Sequence, residues 1–281
     1  MLPINLKIFS FAVKDYEGAY FFIAIVFGIV YFNYLCKLDK INLEIMYEAI
    51  AIGLMTALIT GRLFSFLLWN PKALINNPII FFKPWYGGIT VAGGVFGGLI
   101  AGAIYAKVRK LSFFYHMRFF VPSILIGQIV GRFGCFLNGD AAGRPTSSIL
   151  GLIFNPNSIA YRNAATHFSS RLSEPGTPLH PTQLYDIFGN LIVFLFILLN
   201  WKNEWIKKRM ICWYAMGTSF TRFIVEFFRN DTEKWFSIFT TGQQICVVGF
   251  FIGLAILIYS FFNKEAFDTK ETNIARVKNA K

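Results

Sequence analysis

Seven times along this chain, close to 20 mostly apolar residues follow one another with almost no charge: near 18–36, 47–69, 87–106, 119–138, 183–200, 210–228 and 240–262. A helix crossing a bilayer core needs about 20 such residues, and it satisfies every backbone N–H and C=O within the segment itself. The expected fold is therefore an all-α, polytopic membrane helical bundle with about seven transmembrane helices. Only 15% of the residues are charged, against about 25% in soluble domains.

The net charge of +12 raises the question of nucleic acid. Its distribution points elsewhere, because the basic residues gather at the ends of the apolar segments. Fifteen lie in one set of connections plus the tail, among them Lys107, Arg109, Lys110, Arg118, Lys207, Lys208 and Arg209; nine lie in the opposite set. Basic loops stay in the cytoplasm, so the N-terminus is expected outside and the C-terminus in the cytoplasm. No nucleic-acid partner is expected.

The organisation read from this pattern is a seven-span membrane domain over 1–263 with an outer loop at 139–182, then a cytoplasmic tail at 264–281. No removable signal peptide is read near the start. Cys36, Cys135, Cys212 and Cys246 form no paired motif, and His116, His167 and His180 are scattered. No metal site is expected. In the third segment Gly94, Gly98 and Gly102 recur every fourth residue, and Gly127 and Gly131 repeat the spacing in the fourth. Small residues so placed allow membrane helices to approach closely.

Three arginines, Arg62, Arg132 and Arg222, fall inside apolar segments. Intramembrane charges are expensive and face the bundle interior. Arg222, Glu226 and Arg229 share one helical face at i, i+4 and i+7. They either neutralise one another or serve a ligand. Arg62 either snorkels toward an interface or joins a site. Arg132, in "GRFGCFLNGDAAGRPT", has no acid near it in sequence except Asp140, two turns on. It is therefore expected to hold an anion. A guanidinium fork matches phosphate oxygens, and a phosphate at that depth belongs to a phospholipid headgroup. Gly131, Gly134 and Gly143 are expected to leave space for the acyl-glycerol body.

That stretch resembles the signature of the prolipoprotein diacylglyceryl transferase family. "HPTQLYD" at 180–186 and "TRFIVEFFR" at 221–229 are similar to two further segments of the family, and "TGRLFSFLLWN" and "TTGQQICVVGFFIG" resemble its second and last spans. The resemblance covers nearly the whole chain, in order. It implies seven spans in a bacterial cytoplasmic (inner) membrane. The implied reaction transfers the diacylglyceryl group of phosphatidylglycerol to the lipobox cysteine of an exported prelipoprotein, giving a thioether and glycerol phosphate, with no cofactor. Carried over residue by residue, Arg222, His180, Glu226 and Asp140 are the expected catalytic residues. Arg132, Asn138, Gly143, Arg62 and Arg229 are the expected phosphatidylglycerol-binding residues.

Four positions depart from the family pattern. Ala92 stands where a histidine or tyrosine is usual, Cys135 replaces an asparagine, and Asp140 and Asp186 each replace a glutamate. These changes keep a second reading open, a catalytically altered relative that binds phospholipid or prelipoprotein or uses another acceptor. A transporter fits less well, because two similar halves with broken helices are missing.

Overall fold

The computed structural model describes residues 17–69, 71–83, 90–139, 141–155, 160–161, 176–229, 234–235, 239–264 and 267. Its elements in chain order are α1 (Glu17–Leu38), α2 (Leu43–Trp69), α3 (Pro71–Asn76), a 3-10 helix (Pro78–Phe82), α4 (Val91–Val108) and α5 (Phe113–Asn138). Then follow α6 (Thr182–Leu199), α7 (Glu204–Lys208), α8 (Met210–Glu226), the strands β1 (Lys234–Trp235) and β2 (Phe239–Thr240), and α9 (Thr241–Phe262). Each apolar segment read from sequence has become one long helix. The two strands pair antiparallel, Lys234 with Thr240 and Trp235 with Phe239.

Among the described residues, four helical stretches have the length and hydropathy to cross a membrane: Leu43–Leu67, Phe113–Asn138, Thr182–Leu199 and Thr241–Phe262. Phe22–Leu38 and Gly93–Val108 are shorter apolar helices. The fold is an all-α membrane bundle. Helix α8 carries Arg222 and Glu226 in its last turns, and these charges interrupt its apolar pattern.

The chain divides into two compact units, residues 1–34 with 117–267 and residues 35–116 with 268–281. In the second unit, α2 and α4 lie against each other along glycines. A Cβ at Gly94 would sit 3.3 Å from the Ala57 carbonyl oxygen, and one at Gly93 would lie 2.6 Å from Phe64 Cβ. A side chain at Gly93 would force a shift and one at Gly94 would crowd the facing helix, so these glycines serve close packing as the spacing indicates. Tyr105 ties the same two helices through its hydroxyl, which donates to Glu48 at 2.6 Å. Arg109 pairs with that carboxylate as well.

In the first unit, α5 packs on α1. A Cβ at Gly127 would lie 3.3 Å from the Ala24 carbonyl oxygen and one at Gly131 3.6 Å from Ala24 Cβ, and Phe32 meets Phe120 at 4.8 Å between ring centroids. Helix α8 is held on both sides: a Cβ at Gly217 would lie 2.9 Å from Val193 of α6, and one at Gly253 of α9 would lie 2.9 Å from Met216. Pro122 interrupts the hydrogen-bond ladder of α5 without ending the helix, as membrane helices allow when neighbours re-satisfy the backbone.

The 139–182 loop is braced where it is described. Gly143 bridges Arg229, and both Pro145 and Leu152 bridge Leu179. Beneath these bridges Ala142, Ala160, Tyr161 and Leu179 form a small apolar core with Phe154 against it.

Candidate active site

The site is built where the C-terminal ends of α5 and α8 and the start of α6 come together within the first unit. Asp186, one turn into α6, is 6% exposed and points its Oδ2 at two guanidiniums. Arg132 Nε of α5 approaches it at 3.1 Å and Arg222 Nη1 of α8 at 2.5 Å. The expectation that Arg132 lacks a nearby acid is thereby corrected. Its partner stands 54 residues further along the chain, on another helix, where sequence distance conceals it.

Arg222 also reaches Glu226, with Nη2 to Oε2 at 3.0 Å, and Arg229 Nε stands 3.8 Å from the same oxygen. The i, i+4, i+7 face read from sequence is thus one connected ion cluster. Glu226 is fully buried. Its other oxygen accepts from Thr240 Oγ1 at 3.4 Å. Thr240 caps α9 through a reciprocal box with Gln243. A Cβ at Gly242 would strike the Glu226 carboxylate, so glycine there lets the start of α9 close on the acid. A helix N-terminus favours a carboxylate.

Among the described residues, the guanidiniums of Arg132, Arg222 and Arg229 gather on the carboxylates of Asp186 and Glu226. The carboxylates are sealed, while the Arg132 and Arg222 side chains remain 31% and 26% exposed. The cluster therefore presents cation outward and keeps anion inward. Such a face binds an anion.

The loop frames this cluster through its backbone. Gly143 N donates to the His180 carbonyl at 2.8 Å, His180 N donates to the Arg144 carbonyl at 3.0 Å, and Arg144 N donates to the Phe228 carbonyl at 2.8 Å. Arg144 Nε donates to the Arg229 carbonyl at 2.8 Å. A Cβ at Gly143 would strike the Phe228 carbonyl oxygen and lie 2.8 Å from His180 Cβ and Thr182 Cγ2. This corrects the expectation of open space at the small residues. Gly143 is filled by the Phe228 carbonyl with His180 and Thr182, and Gly134 by Tyr20, while a Cβ at Gly131 would meet Ala24 Cβ in ordinary contact at 3.6 Å. Asn138 is the last residue of α5, and Gly139 ends the helix in the left-handed region at φ 77°, as glycine does best. Ala141 also takes a positive φ of 57°, held by Thr182 Oγ1 donating to its carbonyl.

His180 sits just before α6. Its Nδ1 is 3.0 Å from the Tyr185 hydroxyl, and its ring lies 5.0 Å from that of Phe228. Burial among these rings pushes the imidazole below its ordinary value, because the charged form loses hydration. A histidine held neutral can accept a proton.

Arg62 does not share this construction. It belongs to the second unit, where it is 4% exposed. Its guanidinium donates to the carbonyls of Ile80, Phe81 and Lys83, the last at 2.7 Å, and lies over the Phe66 ring. It pins the 3-10 helix to α2 rather than snorkelling. Asp140, His167 and the side chain of Ala92 lie outside the described residues; the backbone of Ala92 opens α4. Asp186 was named from sequence only as a departure from the family pattern and was given no role. A carboxylate in an apolar segment demands a partner, so the signal was there, though it could not say which partner.

The family model of prolipoprotein diacylglyceryl transferase matches residues 3–259. Among curated proteins, the chain is 31% identical over 273 residues to the phosphatidylglycerol–prolipoprotein diacylglyceryl transferase of Rickettsia conorii, covering 92% of this chain and 96% of that one. The protein of the same name from Clostridium botulinum is 30% identical over 94% of this chain and 99% of its own. That from Oceanobacillus iheyensis is 29% identical over 84% and 82%. A match along nearly the whole length, passing through each helix that supplies the ion cluster, places this chain in the prolipoprotein diacylglyceryl transferase family.

Proposed function

We propose that this chain transfers the diacylglyceryl group of phosphatidylglycerol to the cysteine thiol of an exported prelipoprotein, in a bacterial cytoplasmic membrane. The observation that carries this reading is the partly exposed pair Arg132 and Arg222, joined through the buried carboxylate of Asp186. All seven long helices cross the membrane in this reading, with the N-terminus outside and residues 264–281 in the cytoplasm.

In the proposed step the cysteine sulfur attacks the glycerol carbon that bears the phosphate. The C–S bond forms as the C–O bond breaks, and glycerol phosphate leaves with the electron pair. Negative charge grows on the departing oxygen, where fixed cations stabilise the transition state more than the ground state. Arg132 and Arg222 are suited to that task. Asp186 holds both guanidiniums in register, and Glu226 holds Arg222 and Arg229. A thiol is a weak nucleophile until deprotonated. His180, neutral and beside the site's backbone frame, accepts that proton, with Asp140 as a further candidate. Asn138 and Gly143 shape the wall of the phosphate site, and Arg62 supports its own unit by fixing the 78–83 segment.

The test is transfer by the purified full-length chain from phosphatidylglycerol to a lipobox peptide, read as thioether mass and released glycerol phosphate. Wild type is expected to give both products. Arg132→Lys keeps charge but loses the fork, and is expected to fail nearly as badly as Arg132→Ala. No transfer by wild type, together with no rescue of a strain depleted of its own transferase, overturns the reading. With phospholipid still bound, that result favours an altered relative, which the Ala92 and Cys135 departures make the second reading.

A further inference from the structure

On the N-terminal side of the arginine cluster, α5 and α8 meet again through one polar contact. Gln128 Nε2 donates to the Tyr214 hydroxyl at 2.7 Å. Gln128 precedes Arg132 by one helical turn and Tyr214 precedes Arg222 by two, so the pair lies on the faces that carry the two guanidiniums. Thr218, between Tyr214 and Arg222, gives its hydroxyl to the Tyr214 carbonyl at 2.7 Å.

The pair is incomplete by hydrogen-bond count. Gln128 Oε1 is buried and has no hydrogen-bond partner among the described residues. The Tyr214 hydroxyl accepts from the amide, and its own hydrogen meets no acceptor among the described residues. Turning the amide over changes the donor but not the count: the hydroxyl would then donate to Oε1 and both Nε2 hydrogens would be left. Either way a donor faces an apolar interior, where an unmet polar group is costly. Both residues are partly exposed, although Oε1 itself is buried. In both orientations a donor lacks an acceptor.

We propose that Gln128 and Tyr214 form an ester-carbonyl subsite, donating a hydrogen bond to an acyl ester of the phospholipid whose phosphate lies on Arg132 and Arg222. This rests on the phosphate reading of the arginine cluster. Four residues of helix advance about 6 Å, and only the glycerol unit separates phosphate from ester carbonyls in a glycerophospholipid, a span of the same order. A lipid hung from both points has its glycerol fixed in depth at the carbon that reacts. The subsite makes the chain prefer diacyl over dialkyl glycerophospholipid, because an ether oxygen is a poorer acceptor than an ester carbonyl.

The experiment compares phosphatidylglycerol with its diether analogue, matched in chains and headgroup, as donors for the purified full-length chain and a lipobox peptide. Wild type is expected to show a KM about 5- to 10-fold lower for the diester, the worth of one neutral hydrogen bond. Tyr214→Phe keeps the ring and is expected to raise KM for the diester by about that factor while leaving the diether value unchanged. Gln128→Met provides the same comparison if the tyrosine variant does not fold. Equal losses on both lipids, or no loss on either, overturn the subsite and leave the arginine reading intact. Transfer of neither lipid by wild type, with no phospholipid bound to the purified chain, overturns the arginine reading, and the subsite falls with it.

Discussion

Arg62 in one unit and Arg222 in the other pose the same physical problem, a permanent cation on a membrane helix, and the chain answers it in two ways. Around Arg62 the answer is main chain. Three consecutive-region carbonyls, of Ile80, Phe81 and Lys83, receive the guanidinium, and the side chain is sealed at 4% exposure. Around Arg222 the answer is carboxylate, from Asp186 and Glu226, with a quarter of the side chain left open and a second arginine drawn to the same oxygen. Main-chain carbonyls fix the direction of the guanidinium within its own unit, so Arg62 suits anchoring. Buried carboxylates beneath exposed guanidiniums orient charge outward, so the second arrangement suits binding and catalysis.

The contrast is tested most strongly by Arg222→Ala. Losing one electrostatic contact to a developing anion is expected to lower transfer per folded molecule by about 100- to 1,000-fold. The corresponding Arg62→Ala is expected to reduce the yield of folded protein while the surviving fraction keeps its kcat. The measurement is transfer normalised to folded protein by size-exclusion profile. If Arg62→Ala costs as much per folded molecule as Arg222→Ala, the two regions are not functionally distinct.

Glu226→Gln comes next, and its main effect falls on folding. The acid is fully buried between Arg222, Arg229 and the cap of α9. Removing its charge leaves two cations facing each other. The expected loss is about 3 kcal/mol, the lower end for a broken buried pair, since Arg222 is partly exposed. Thermal unfolding of the purified variant checks it. An unchanged melting temperature would show that the cluster exists for catalysis alone.

The difference between the two regions also separates what sequence could reveal from what it could not. The helices were legible because hydrophobic length is a local property. So was the Arg222–Glu226–Arg229 face, since helical periodicity places those residues together. The glycine rows on α4 and α5 read correctly as contacts between helices. The Arg132–Asp186 pair was not legible, because it joins α5 to α6 and nothing local encodes which acid meets which base. The carbonyl cage of Arg62 was hidden for a related reason: acceptors on the main chain leave no mark in residue type. Gly143 was misread as space because a glycine looks the same whether a ligand or a backbone lies against it.

Arg62→Lys gives a smaller effect that sharpens the anchoring role. An ammonium carries the charge but cannot span three carbonyls set for a planar fork. The loss of about two hydrogen bonds to a charged donor, offset by adjustment, is expected to cost about 1–2 kcal/mol. Stability should fall while KM for phosphatidylglycerol stays constant. A raised KM with unchanged stability would move Arg62 from anchor to phosphate ligand.

The smallest effect expected is at the edge of the cluster, on the proton rather than the phosphate. Burial holds the His180 imidazole below its ordinary value of about 6.5. The neutral form is the base, so transfer should be constant above that value and fall as pH drops through the lower, folded-state midpoint. Stability follows the same sign. A depressed folded pKa means the contribution is whole above the unfolded value and is lost as pH falls through the folded one. Tyr185, 3.0 Å from Nδ1, decides which nitrogen works. If its oxygen accepts from Nδ1–H, Nε2 carries the lone pair that takes the thiol proton. The same contact then stabilises the imidazolium more than the neutral ring. Tyr185→Phe is therefore expected to move the acid limb of kcat/KM to still lower pH, with a plateau rate reduced about 2- to 10-fold by loss of the tautomer bias. The check is a pH–rate profile for wild type and variant on one lipobox peptide. A limb that moves to higher pH would mean that Tyr185 donates to Nδ1, leaving Nε2 protonated and removing His180 as the base.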